Sequence, residues 1–230
     1  MSAITKSNFY FLKKLAKNNN RNWFNANKDE YVTNHEQMIS FAESVLEEMH
    51  KHDKIETVSG KKSLHRIYRD IRFSKDKSPY KNHWGGGFKR ATKLLRGGYY
   101  YHIEPGNTIV AGGFWGPDKE DLARIREEIA VDSLELNKII NSKSFVSNFG
   151  KIWGEQLKTA PKGFPKDHKD INLLRYKQFC VVRNFSDAEA LDKNFHKTVN
   201  EVFKAMRPFL NFMSEVLTTD INGEQLKQLK

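Results

Sequence analysis

Three arginines, Arg66, Arg69 and Arg72, stand at intervals of three residues near the middle of the chain. A guanidinium group holds a phosphate or carboxylate through two parallel hydrogen bonds, and clustered guanidinium groups repel one another unless an anion neutralises them. Four further side chains with suitable donors belong to the same candidate anion site: Arg21, Lys77, Tyr80 and Lys81. These residue types predict a site for an anionic ligand, and a small phosphate-bearing molecule is the first interpretation.

Proton transfer at such a site needs groups of a different kind. Asp70 and Asp76 lie among the arginines and lysines, where we expect them to stay ionised, to orient the arginines and to be weak general bases. Histidine as a residue type ordinarily titrates near neutral pH, so His83 and His102 are expected to suit acid–base chemistry better. These four residues are the candidate catalytic groups. No metal site or cofactor is predicted, because no pair of histidines has zinc-like spacing and positive surroundings disfavour a cation.

The positive charge of the chain is concentrated in residues 61–96, which we call the basic segment. This segment holds twelve lysines and arginines against two aspartates, and the net charge of the whole chain is +11. Such a concentration attracts anions through a local positive potential. Five aromatic residues are interleaved with the charges: Tyr68, Phe73, Tyr80, Trp84 and Phe88. A nucleic-acid-binding module, in which bases stack on aromatic rings, is therefore the second interpretation.

A third interpretation is a protein-interaction domain in which the arginines form a buried structural network. The sequence leaves open whether the arginines share a face. If residues 64–72 are helical, all three lie on one broad face; if they are extended, Arg66 and Arg72 point one way and Arg69 the other. The three glycines at 85–87 are expected to let the backbone approach a ligand closely.

The elements that position these residues follow from hydrophobic spacing and turn residues. A first helix is predicted from Asn8 to Lys17 with Ser7 as its cap, and a second, long helix from about residue 25 to 50. Residues 98–104 and 108–115 are rich in Tyr, Ile and Val, and the turn residues between them predict a β-hairpin.

The second half of the chain predicts further helices and strands. Helices are expected after Pro117 and at 134–140, and strands at 151–157 and 176–185. A last long helix is predicted from Ser186 or Asp187, and Pro208 should kink or split it. This order predicts one α+β domain over residues 1–230, with a mainly antiparallel sheet packed against several helices, including long N- and C-terminal helices.

Composition narrows the class of protein. The single cysteine, Cys180, lies in an apolar run and is predicted to be a buried structural thiol in a reducing compartment. No apolar stretch approaches the ~18 residues that a membrane span needs, and Lys13 and Lys14 interrupt the apolar core that a signal peptide requires. A cytoplasmic location is therefore predicted, with no membrane partner. The partners expected are an anionic small molecule or a nucleic-acid backbone, and the oligomeric state stays open.

One long motif makes the sequence recognisable. The pattern Arg66-x-x-Arg69-Asp70-x-Arg72-Phe73-x-x-Asp76-Lys77-x-x-Tyr80 resembles the signature of the uncharacterised, mainly bacterial domain of unknown function 2461 family. Further resemblances lie in the segment 19–28, the hairpin beginning at Gly98, the residues 112–115 and the residues 161–164. What the resemblance implies is a soluble domain of about this length. It implies no activity, substrate or cofactor.

Overall fold

The computed structural model describes residues 3–220 and 223–226, which form ten helices and four strands. The helices are α1 (Lys6–Lys17), α2 (Arg21–Ala26), α3 (Lys28–Met49), α4 (Gly60–Ser63), α5 (Lys119–Val131), α6 (Leu134–Ile140), α7 (Lys143–Phe149), α8 (Ile171–Leu174), α9 (Asp187–Ala190) and α10 (Phe195–Thr218). The strands are β1 (Trp84–Lys89), β2 (Gly98–Ile103), β3 (Thr108–Phe114) and β4 (Phe179–Phe185). They form one antiparallel sheet in the order β1-β2-β3-β4, which confirms the predicted α+β class.

The N-terminal helices begin at different residues from those predicted. α1 begins at Lys6 because Thr5, not Ser7, caps it: the Thr5 amide donates to the Asn8 side chain at 2.8 Å. Between the two predicted N-terminal helices the chain forms a further short helix, α2. The Asn20 side chain caps α2 by accepting from the Trp23 amide at 3.0 Å. The predicted long helix is therefore the shorter α3.

Within the basic segment, the stretch that follows α4 is extended, which decides the alternative that the sequence left open. Residues 64–69 run antiparallel to residues 79–86, with single bridges at Tyr68↔Tyr80 and Leu64↔Gly86. The Arg69 amide donates to the carbonyl of Pro79 at 2.9 Å, and the Lys81 amide donates to the carbonyl of Ile67 at 2.8 Å. We call this pair of extended stretches and its connecting loop the basic hairpin.

Glycine at position 86 is required by the packing around β1. A Cβ atom there would overlap the phenol end of Tyr101 and lie 2.7 Å from the carbonyl oxygen of Ser63. Tyr101 is fully buried, and its hydroxyl is 3.0 Å from the Ser63 hydroxyl. Only glycine leaves room for this ring against the strand.

The C-terminal helices depart from the prediction at two places. The predicted last helix is divided into α9 and α10, because the chain leaves helical conformation after α9. A capping box of Ser186 and Glu189 begins α9. α10 continues through Pro208 without the predicted split. The predicted strand at 151–157 is reduced to two single bridges, Trp153↔Cys180 and Gln156↔Tyr176.

The chain divides into two compact units. The first contains the described residues through Phe88 with Tyr100–Val110 and Asn184–Glu201. Its core includes Phe41, whose ring packs edge-on against Tyr101 and stacks on Phe195 at 5.9 Å. The prediction of one domain over residues 1–230 stays a prediction.

The second unit contains Lys89–Tyr99, Ala111–Arg183 and the described residues from Val202 onward. Within this unit, Arg126 on α5 connects α5 to α8 by donating to the carbonyl of Leu174 at 2.9 Å. Cys180 is buried here, as predicted, and burial raises the pKa of its thiol to about 11. Among the residues that the structure describes, in both units, no helix is both long and apolar enough to cross a bilayer.

Candidate functional site

Arg69 is bound within the loop of the basic hairpin. Its guanidinium group forms an ion pair with Asp76 and donates to the carbonyl of Ser78 at 3.1 Å and to the hydroxyl of Ser74 at 3.3 Å. Hydrogen bonds from the side chain and amide of Ser78, then that from Arg69, lower the pKa of Asp76 to about 2. Asp76 therefore stays ionised. Arg69 stabilises the conformation of the loop through these bonds and also contributes a positive charge.

Arg66 and Arg72 lie outside this arrangement. Arg72 forms a two-point ion pair with Asp70, at 3.0 and 2.6 Å, and its side chain is 77% exposed. The hydrogen bonds from Arg72 lower the pKa of Asp70. The Arg66 side chain is exposed and has no hydrogen-bond partner within the described ranges. The aspartates thus orient two arginines, as expected, but the three arginines do not converge on one cavity.

The two lysines of the candidate site are held by backbone carbonyls. The Lys77 ammonium group donates to the carbonyl of Ile71 at 3.0 Å, and the Lys81 ammonium group donates to that of Arg66 at 2.8 Å. Burial and then the charge of Arg66 lower the pKa of Lys81. Each ammonium group keeps further donors that these single bonds do not use.

A cavity of about 350 Å³ lies between α2 and the basic hairpin, and we call it the arginine cavity. Its lining residues are Arg21, Asn25, Tyr68, Arg69, Ile71, Pro79 and Tyr80. The buried Tyr80 ring stacks on Phe24 at 4.0 Å, and the Tyr68 ring is 5.4 Å from Tyr80, so one wall is aromatic. Arg21 and Arg69 are the two guanidinium groups at this cavity.

A second group of polar residues lies on β2 and the chain beside it. Burial alternates along this strand, so Tyr100 and His102 share the less buried face with Glu104 just beyond its end. His102 is held at both ring nitrogens: Nε2 is 2.8 Å from the Glu104 carboxylate and Nδ1 is 3.3 Å from the Tyr100 hydroxyl. With His65 and His83, these residues form what we call the histidine cluster.

His83 and His65 complete the histidine cluster. The His83 ring stacks on His102 with centroids 4.0 Å apart, and the His65 ring stacks on Tyr100 at 6.0 Å. Burial, then the neighbouring His102, lowers the pKa of His83 to about 4. Burial and the charge of Lys81 lower the pKa of His65. His83 is therefore neutral at pH 7.

The carboxylate of the cluster is ionised at neutral pH. Burial raises the pKa of Glu104, but the hydrogen bonds from His102 and Asn107 outweigh burial, and the net pKa lies below its usual value. No group of three or more possible metal ligands occurs among the residues that the structure describes. An ionised carboxylate, imidazole rings and a phenol hydroxyl lie together in this cluster, and these are the group types that transfer protons.

The arginine cavity and the histidine cluster are built from different residues. Tyr80 lines the cavity, whereas His83 belongs to the histidine cluster. None of the candidate histidines lines the cavity at which Arg21 and Arg69 meet. Tyr100 was missing from the predicted site, although its spacing of two residues from His102 in a predicted strand was the signal that places both on one face.

The fold and these groups define an α+β protein whose basic segment forms an extended hairpin beside a small cavity. A family model described as "Conserved hypothetical protein (DUF2461)" matches residues 7–212. The chain belongs to this family, which confirms the resemblance seen in the sequence. The comparisons with curated proteins and with solved structures gave no match.

Proposed function

We propose that this protein binds a small anionic molecule, most simply one that carries a phosphate group, in the arginine cavity. The observation that carries the proposal is the meeting of Arg21 and Arg69 at a cavity of about 350 Å³ with an aromatic wall. Ligand sites of this size are lined mainly by apolar and aromatic groups, with a few polar groups that fix orientation. The Asn25 amide adds a neutral donor and acceptor at the same cavity.

Arg21 is the principal anion-binding group in this proposal. Asp76 already neutralises much of the charge of Arg69, whereas the Arg21 guanidinium has no hydrogen bond or ion pair within the described ranges. An exposed guanidinium at a cavity can form the two-point contact that a phosphate accepts, and Arg69 then adds its field from the other side. The proposal keeps the predicted cytoplasmic location, since small phosphorylated molecules are abundant there.

The test is a thermal-shift series with inorganic phosphate, a sugar phosphate and a nucleoside monophosphate. A ligand that binds only the folded chain adds about 2.7 kcal/mol to the free energy of unfolding when its concentration is 100 times Kd. We expect Arg21→Met to weaken the binding of the stabilising anion at least about tenfold, because a hydrogen bond to a charged group contributes about 1.5–3 kcal/mol.

Arg66→Met is the matched control, since it removes the same charge from an exposed guanidinium outside the cavity. It should leave the ligand-induced shift nearly intact. Equal weakening by both variants would contradict a site at the cavity and indicate only general charge attraction. If no anion shifts the wild type while Arg69→Met lowers its melting temperature, the arginines form a structural network, which is the third interpretation of the sequence.

Binding to single-stranded nucleic acid is the second candidate function, and the exposure of Phe73 favours it. This side chain is 96% exposed at the loop of the basic hairpin, and the Arg72 guanidinium lies 5.9 Å from its ring. Stacking of a base on an aromatic side chain contributes about 1–3 kcal/mol, and contacts to phosphates make binding fall steeply with salt.

Fluorescence anisotropy with a labelled oligonucleotide tests this candidate at about 50 and 200 mM salt. We expect Phe73→Ala to weaken binding by about fivefold or more, as loss of one stacked base requires. Trp115→Ala is the control, because Trp115 is also a largely exposed aromatic residue and lies far from the basic hairpin in sequence. Equal effects of the two variants, or affinity that does not respond to salt, would exclude this function.

A further inference from the structure

Glu104, His102 and Tyr100 form a continuous line of hydrogen bonds on one face of β2. A carboxylate can only accept, so the His102 proton belongs on Nε2, which is 2.8 Å from Glu104. The neutral imidazole then offers Nδ1 as an acceptor, and the Tyr100 hydroxyl, 3.3 Å away, donates to it. The arrangement has a fixed direction: carboxylate, imidazole base, hydroxyl.

We propose that this line activates the Tyr100 hydroxyl as a nucleophile toward the phosphorus atom of a negatively charged phosphate diester. A hydroxyl bonded to an imidazole that a carboxylate orients is the general arrangement of an activated nucleophile, whichever fold carries it. The site is distinct from the arginine cavity, because none of these three residues lines that cavity.

A glycine on β1 lets the Tyr100 hydroxyl and the His83 ring approach the same strand. Gly85 lies beneath the hydroxyl, since a Cβ atom at this position would be 3.1 Å from the Tyr100 oxygen and 3.2 Å from His83 Cδ2. With no side chain there, Tyr100 and His83 converge above the strand. His83 has no hydrogen bond to either ring nitrogen within the described ranges, so its neutral ring is able to bond to a substrate oxygen.

The charge around the hydroxyl selects an anionic substrate. The positive charge of the Lys81 ammonium group lowers the pKa of both His83 and His65, the two rings that flank the line. The positive charge of Arg66 in turn lowers the pKa of Lys81. A phosphate diester carries one negative charge, which these cations attract, and its phosphorus atom is the electrophile that a tyrosine oxygen attacks.

The proposed step balances without any oxidant, reductant or further reactant. The Tyr100 oxygen forms a bond to phosphorus while the bond from phosphorus to the leaving oxygen breaks. The Tyr100 proton passes to His102 Nδ1, the Glu104 carboxylate stabilises the resulting imidazolium, and the leaving oxygen takes up the proton as an alcohol. Burial, then Glu104, raises the pKa of Tyr100, so the hydroxyl is protonated at neutral pH and depends on His102 as its base.

The experiment uses two phosphoryl probes with the same leaving group: bis(4-nitrophenyl) phosphate, an anion, and diethyl 4-nitrophenyl phosphate, which is neutral. Peptide mass spectrometry locates the covalent adduct, and absorbance follows the 4-nitrophenolate released. We expect both probes to modify Tyr100 at least about tenfold faster than Tyr10, an internal reference that is 63% exposed.

The variants separate the roles of the groups. Tyr100→Phe should abolish the adduct, and His102→Gln should slow it about 100-fold or more while leaving the rate at Tyr10 unchanged, which controls for folding. Glu104 is a positioning residue, so Glu104→Gln should slow the reaction and shift its pH profile. Lys81→Met should slow the anionic probe more than the neutral one. Lys62→Met, an exposed lysine of the same basic segment, should slow neither.

Three outcomes would overturn the proposal. Modification of Tyr100 no faster than that of Tyr10 would show that the hydroxyl is not activated. An unchanged rate in His102→Gln would show that the line of hydrogen bonds is only structural. Modification by the neutral probe alone would exclude an anionic substrate. None of these outcomes depends on whether the arginine cavity binds a ligand, so the two sites are tested independently.

Discussion

The Gly86→Ala substitution is expected to lower the free energy of unfolding by about 3 kcal/mol, the upper part of the range for overpacking a core. The added methyl group would collide with the buried end of Tyr101 and lie 2.7 Å from the carbonyl oxygen of Ser63. Neither group can move away easily, because Tyr101 has no exposed surface and the contacting atom of Ser63 is its main-chain carbonyl oxygen. Urea denaturation followed by circular dichroism measures the loss.

Gly85→Ala is the matched control for this prediction. The two glycines are neighbours on β1, but the methyl group at position 85 would meet only the ends of the Tyr100 and His83 side chains, at 3.1 Å or more. These ends can move by a few tenths of an ångström, so we expect a cost below about 1 kcal/mol. Equal destabilisation by the two substitutions would mean that loss of a strand glycine itself, not the Tyr101 contact, sets the cost.

Acidification from pH 7 to pH 4.5 is expected to destabilise the chain through His83. The pKa of this ring is about 4 in the folded chain and about 6.5 when it is unfolded. The unfolded chain therefore binds more protons between these values, and the contribution is complete above pH 6.5 and is lost as the pH falls toward 4. One such group gives a slope of at most about 1.4 kcal/mol per pH unit.

The expected loss is smaller than this limit allows. Solvent reaches part of the His83 ring and screens the charge that it acquires, so we expect about 1–2 kcal/mol in total. Urea denaturation at several pH values, compared between wild type and His83→Gln, isolates the contribution. The more exposed His65 should give a smaller change in His65→Gln. Parallel pH profiles for wild type and His83→Gln would show that His83 does not carry the effect.

The sequence by itself determined the fold class, the family and the hairpin of β2 and β3. These features depend on local information: the alternation of buried residues from Tyr99 to Ile103, the turn at residues 105–107 and the long arginine motif. The same local information indicated that Asp70 and Asp76 would orient arginines. Each aspartate lies within seven residues of its partner, so short-range spacing was sufficient.

Only the tertiary structure decided which groups share a site. Arg21 and Arg69 meet at one cavity although they are distant in sequence, because α2 packs beside the basic hairpin. Spacing along the chain cannot show such a meeting, and it equally could not show that Arg66 and Arg72 stay outside. The extended conformation of the hairpin follows from its pairing with residues 79–86, a long-range interaction that overrides the helical spacing of residues 64–72.

The histidine cluster has the same physical origin. His83 directly precedes β1 and His102 lies on β2, and their rings stack because these two strands are neighbours in the sheet. Tyr101 and Gly86 show the same effect in the core, where the size of one ring dictates the glycine on another strand. Residue types determined what chemistry is available to this protein, and sheet pairing decided which of those residues can act together.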